Sequence, residues 1–146
     1  MKRTKQVFVV LFLIGLLLNL LGCASGVKYS DYVKDMPEVN EQQSRLFVYR
    51  VSSLGAAVQP KVKVDDVTVC KAVPKGFAFS DVKPGDHKVQ CSTEVNRSLS
   101  LTTNPGQTKY VRLDVSWGFF VGHISPKLVD EDVALKDLQK CKYVGN

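Results

Sequence analysis

Residues 61–71 read Lys-Val-Lys-Val-Asp-Asp-Val-Thr-Val-Cys-Lys. Valine alternates with polar residues on both sides of Asp65-Asp66, and a period of two marks half-buried strands. The two aspartates separate the runs as a turn. A two-residue turn there places Val62, Val64, Val67 and Val69 on the core face and points Cys70 away from it. The same period recurs outward from this hairpin, at residues 98–101 (SLSL) and 109–115 (KYVRLDV). Valine, whose β-branch suits pleated sheet, supplies 20 of the 124 residues from Cys23 onward, so propensity agrees with pattern. Residues 45–51 (RLFVYRV) are apolar on both faces at Leu46, Phe47, Val48 and Tyr49, the pattern of a central strand.

Turns punctuate these runs at short intervals, at Lys83-Pro84-Gly85-Asp86, Asn96-Arg97 and Asn104-Pro105-Gly106. Proline fixes φ and glycine reaches positive φ, so the two Pro-Gly pairs are strong turn signals. Strands joined by such short turns are antiparallel neighbours. About seven strands with no helical pattern between them predict an all-β, antiparallel β-sandwich-like domain. One C-terminal helix closes it. Asp130 stands at its start, Glu131 and Asp132 in its first turn, and Lys140 and Lys142 near its end, ahead of Gly145, as the helix dipole favours. Ala134, Leu138 and Cys141 share a face that packs on the sheet, with Leu135 beside them.

With 146 residues, 45% of them hydrophobic and 23% charged, the chain is one domain able to bury a core, which excludes a disordered chain and a multi-span membrane protein. Its net charge of +6 divides unevenly. Residues 1–22 hold Lys2, Arg3 and Lys5 and no acid, leaving 17 cations against 14 acids, or +3, for the rest. That excess, with lysines spread along the chain and no stacking aromatics among them, argues against nucleic acid as a partner.

The first residues have the layout of a signal peptide: a basic start, then fifteen residues (7–21) broken only by Asn19. As a helix they span about 22 Å, short of the roughly 30 Å of bilayer hydrocarbon. Leu20-Leu21-Gly22-Cys23 resembles the lipobox of bacterial lipoproteins, in which the cysteine becomes the first mature residue. By that resemblance residues 1–22 are removed and the Cys23 thiol takes a diacylglyceryl group. The new amine is then acylated. More than one acyl chain gives stable anchoring, so the protein's first partner is a membrane. Ala24 follows, where inner-membrane retention favours Asp, which points to an outer membrane facing the periplasm in a Gram-negative cell. Residues 23–44 read as the lipidated start and a flexible tether. About twenty residues reach roughly 70 Å stretched and nearer 25 Å as a coil. Tyr29 and Tyr32 are the alternative, as anchors docked on the domain at 45–146.

Residues 46–50, 60–66, 82–87, 106–112, 118–122 and 128–131, including the Pro84-Gly85-Asp86-His87 turn, are similar to a family of bacterial lipoproteins known as a domain of unknown function. The resemblance implies an all-β domain with a terminal helix on a lipid anchor. It carries no catalytic residue.

Three cysteines follow Cys23. Periodicity turns Cys91 and Cys141 inward and favours that pair for a disulfide. Closeness in sequence favours Cys70 with Cys91, where a bulge would reverse the facing of Cys70, and three free thiols are the third alternative. His87 and His123 have no neighbour at metal-ligand spacing, so no metal is expected, and His87 reads as bonded to backbone near its turn. The G-x-S-x-G, H-E-x-x-H and P-loop signatures do not occur, and no cofactor is expected. Trp117 and Phe119, in the densest aromatic stretch, are packed in a strand or form an exposed pair that grips a partner. Pro126 places that strand at an edge or breaks it there. The expectation is a lipid-anchored envelope module that binds or scaffolds an envelope protein or cell-wall partner. Its rivals are a structural subunit of an envelope complex and an enzyme with a non-local site.

Overall fold

In a computed structural model, residues 24–93, 96–116 and 123–145 are described. Cys23, Trp117 and Phe119 lie outside them. The chain forms α1 (Tyr29–Tyr32), β1 (Ser44–Arg50), β2 (Lys61–Val64), β3 (Val67–Lys71), β4 (Gly76–Val82), β5 (Gly85–Ser92), β6 (Asn96–Thr103), β7 (Thr108–Ser116), β8 (His123–Val129), α2 (Glu131–Leu138) and β9 (Lys142–Tyr143). These strands build two sheets, ordered β8-β7-β1-β4-β9 and β3-β2-β5-β6. The expected all-β sandwich with a C-terminal helix is present, with nine strands among the described residues where about seven were expected. Two pairs, β1 with β7 and β4 with β9, run parallel. Each joins strands distant in sequence, which short turns do not constrain.

β1 is central and every residue of it is buried. Leu46 and Val48, with Val111, Leu113 and Ile124 of the same sheet, face the second sheet, where Val62, Val64 and Val89 complete the core between the layers. Phe47 and Tyr49 face the opposite way, into a second cluster with Tyr29, Phe77, Tyr110, Ala134, Leu138 and Cys141. The layers are therefore sheet, sheet and helices. Each fully buried large side chain contributes about 1.5–3 kcal/mol, so a strand that is apolar on both faces holds all three together.

Asp65 and Asp66 both take positive φ, 47° and 69°, as a two-residue hairpin turn requires. Beyond the turn the register departs from strict alternation. Lys63 pairs with Thr68 but Val62 pairs with Cys70, so Val69 is an extra, bulged residue. The bulge turns Cys70 inward, 3% exposed, against the expected phase, while Val67, which precedes the bulge and begins the edge strand, is 67% exposed.

Of the two alternatives for Tyr29 and Tyr32, docking is the one realised, and the tether expected over 23–44 gives way to it in the first half of that stretch. Tyr29 meets Phe77 edge-on at 5.3 Å between ring centroids, and Tyr32 stacks on Tyr143 at 4.3 Å. Backbone bonds fix the segment beside β9: Tyr143 N donates to Val27 O (2.8 Å) and Tyr29 N to Cys141 O (3.0 Å). Ala24 is buried, and its N–H donates to Pro74 O at 3.1 Å. The cause is the β9 edge, whose backbone groups need partners. Asp130 holds the N-cap position of α2 without a side-chain capping bond, and the helix ends at Leu138 instead of running on to Lys142. Pro126 lies in β8, at the edge of the first sheet, and the aromatic stretch whose strand it was expected to place lies outside the described residues.

Candidate functional site

On the helix side of the first sheet, past the end of α2, a groove of about 430 Å³ opens over the ends of β1 and β7. Val51, Leu113 and Val115 line it with Ser52, Arg112, Asp114 and Asp137. Alternation along β7 puts Arg112 and Asp114 on this face together. Arg112 Nε donates to Asp114 Oδ1 at 2.6 Å, and Nη1 reaches Asp137 Oδ2 at 3.4 Å. Lys140 Nζ donates to Asp137 Oδ1 at 3.4 Å, and Tyr49 donates its hydroxyl to Asp137 Oδ2 at 3.5 Å. Burial, then the Asp137 charge, pushes the Tyr49 hydroxyl well above its usual range, so it serves as a donor. The bond to Asp114 raises the Arg112 guanidinium still further. The groove thus sets Val51 beside a rim of mutually satisfied charges, over the β7 backbone at Leu113 and Val115.

Two arginines that the pattern of β1 hides are its buried polar posts. Arg45, 2% exposed, holds Asp81 with Nε at 2.6 Å and Nη2 at 2.7 Å, donates to Pro37 O, and lies 4.5 Å over the Phe79 ring. Arg50, fully buried, has no acid partner among the described residues. Its guanidinium donates to five carbonyls, those of Ser52, Leu54, Gly55, Val58 and Ala72. It therefore orders residues 52–58 beside the groove. The signal for both was an arginine at each end of a run with no exposed face.

His87 bonds to backbone at its turn as expected, Nε2 donating to Lys83 O at 2.7 Å, and its Nδ1 also lies 2.6 Å from Asp65 Oδ2. Burial alone would raise the Asp65 carboxyl, but the Lys88 amide and His87 outweigh it and hold it below its usual range. The histidine ties the β2–β3 turn to the β4–β5 turn with both nitrogens occupied. His123 begins β8 in the other sheet, so the structure does not bring the two histidines together. Among the described residues no group of three His, Cys, Asp or Glu is placed to hold a metal ion.

Cys70, Cys91 and Cys141 are buried free thiols, so neither expected disulfide is formed. Cys91 lies in the core between the sheets, whereas Cys141 lies in the cluster beneath the helices, with the first sheet between them. Cys70 and Cys91 each pair with Val62 from opposite sides, one strand apart. Neighbouring strands are about 4.8 Å apart, so strands two apart exceed the roughly 7 Å that a bridge tolerates between Cα atoms. Burial pushes the thiols up, to about 12 for Cys70 and Cys141 and about 11 for Cys91.

These features define a small β-sandwich module, helix-covered on one side, with a polar-rimmed groove at the sheet's end. The chain belongs to the family described as a protein of unknown function, DUF2846, which matches residues 40–124, from just before β1 to the second residue of β8. It is also 29% identical over 141 residues to an uncharacterized protein of Haemophilus influenzae, an alignment covering 93% of this chain and 84% of that one.

Proposed function

We propose that this protein is a lipid-anchored envelope lipoprotein whose sandwich binds or scaffolds a partner and performs no catalysis. The observation that carries the reading is a coincidence of two boundaries. The lipobox-like Leu20-Leu21-Gly22-Cys23 ends one residue before Ala24, and Ala24 is already packed into the domain through its bond to Pro74. Cleavage ahead of Cys23 would leave the folded module whole, with an acylated residue at its first position. The non-catalytic half of the reading is supported by how the polar groups are used. Arg112 is engaged by two aspartates, both His87 nitrogens are bonded, and the three buried thiols are held protonated. The groove beside Arg112 is the surface we assign to the partner.

Metabolic labelling with radioactive palmitate and intact-mass analysis of the membrane-extracted protein test the anchor. The expected product begins at residue 23 and carries acyl chains. Cys23→Ala is expected to abolish labelling. An unmodified thiol at 23, or a mature start elsewhere, overturns the proposal.

A further inference from the structure

The net +3 of residues 23–146 is the sum of two opposed regions. Four stretches, 24–30, 51–64, 67–80 and 138–145, hold Lys28, Lys61, Lys63, Lys71, Lys75, Lys140 and Lys142 and not one Asp or Glu. That is seven cations, while the remaining ten stand against all fourteen acids.

The fold brings the four stretches to one corner. Ala24 N donates to Pro74 O in the β3–β4 connection, which Lys71 and Lys75 flank. Lys142 N donates to Lys75 O at 2.8 Å, and Lys142 pairs across the β9 edge with Lys28. Cys70 pairs with Gly145, and Lys71 pairs with Lys61 on β2. Two cross-strand positions thus set lysine directly against lysine, an arrangement that repels unless an anion lies nearby. Among the described residues, only Lys140 of the seven has an ion pair, with Asp137.

We infer that this corner is the surface the module turns toward anionic lipid headgroups, lying against the bilayer instead of standing off it. The inference rests on acylation of Cys23. One peptide bond separates that residue from Ala24, so the acyl chains leave the protein in the midst of these lysines. Charge complementarity selects the occupant: a leaflet containing phosphatidylglycerol supplies the missing anions, and the acidic remainder of the molecule is repelled from it. The groove at Arg112 and Asp114 then belongs to a body whose orientation on the membrane is fixed.

The test uses the full acylated protein in vesicles of phosphatidylcholine alone and in vesicles with added phosphatidylglycerol. Lysine acetylation is read residue by residue by mass spectrometry. Lys28, Lys61, Lys71, Lys75 and Lys142 are expected to react roughly fivefold more slowly on the anionic vesicles, with Lys83, Lys109 and Lys127 unchanged and the difference erased by high salt. Equal rates on both vesicles overturn the inference. So does equal protection on both, or protection found in native envelopes but not on anionic vesicles, which would assign the lysines to an anionic protein or glycan. Intact mass of the same sample separates the two failures. A protein without acyl chains defeats the anchor itself, whereas an acylated protein with unchanged lysine rates defeats only the orientation.

Discussion

At the scale of single residues, Arg50 is the side chain whose loss should be felt most. A guanidinium carries five N–H donors in a rigid fork, and five carbonyls receive it here. Burial pulls the Arg50 pKa down, so the carbonyl dipoles are what keep a cation in the core. Lysine would preserve the charge but offers three donors from a single point, leaving buried carbonyls unpaired. Arg50→Lys is expected to cost about 3 kcal/mol, read as a lower urea midpoint at unchanged slope, with amide exchange accelerated across residues 52–58. An unfolding free energy within about 0.5 kcal/mol of the parent would show that the five bonds do not hold that loop. Arg45 differs in kind: its bonds to Asp81 form a bidentate pair, and it stacks on Phe79, so its removal would strand a carboxylate.

Among the elements, the N-terminal segment acts as a cover for β9, and Gly26 sets how closely it can lie. A Cβ at Gly26 would stand 1.8 Å from Tyr143 O, and backbone cannot yield as a side chain can. Gly26→Ala should therefore lift residues 24–28 from the edge at a cost of roughly 1–3 kcal/mol. Hydrogen exchange would show it as lost protection at the Tyr143 and Tyr29 amides, with β1 amides unchanged. Retained protection at Tyr143 would mean the segment is not held by that edge. This docking also marks where local reading stops. Alternation located the strands because valine and polar residues do alternate, and the Asp65-Asp66 turn was legible because few residues accept positive φ. The Val69 bulge was not. Residues 67–70 alternate like their neighbours, and the extra residue exists only against β2. The parallel pairing of β1 with β7 is likewise set by packing between residues some sixty positions apart, as in Arg45 with Thr108. The groove joins Arg112 to Asp137 in the same way, across two elements. Lysines that look dispersed along the sequence become one basic corner only when four stretches meet.

Over the whole molecule, the three thiols report on the integrity of both cores. Cys70 and Cys91 lie between the sheets and Cys141 beneath the helices, so no local opening exposes all of them. Only the thiolate is nucleophilic, and burial places these groups at about 12, 11 and 12, well above their ordinary value near 9. At pH 8 the thiolate fraction is therefore far below that of a free cysteine, and steric exclusion lowers reactivity further. Raising the pH still increases the thiolate fraction about tenfold per unit, but from a level far below that of a free cysteine, because burial raises each pKa. Iodoacetamide at pH 8 should leave all three unmodified in the native protein, and denaturing urea should expose them together. Labelling rate against urea concentration would then follow the global unfolding transition, with Cys141 tracking Cys70 and Cys91. Selective early labelling of Cys141 would instead show that the helix layer opens apart from the sandwich. In that case the face carrying the Arg112 groove would be the less stable part of the molecule.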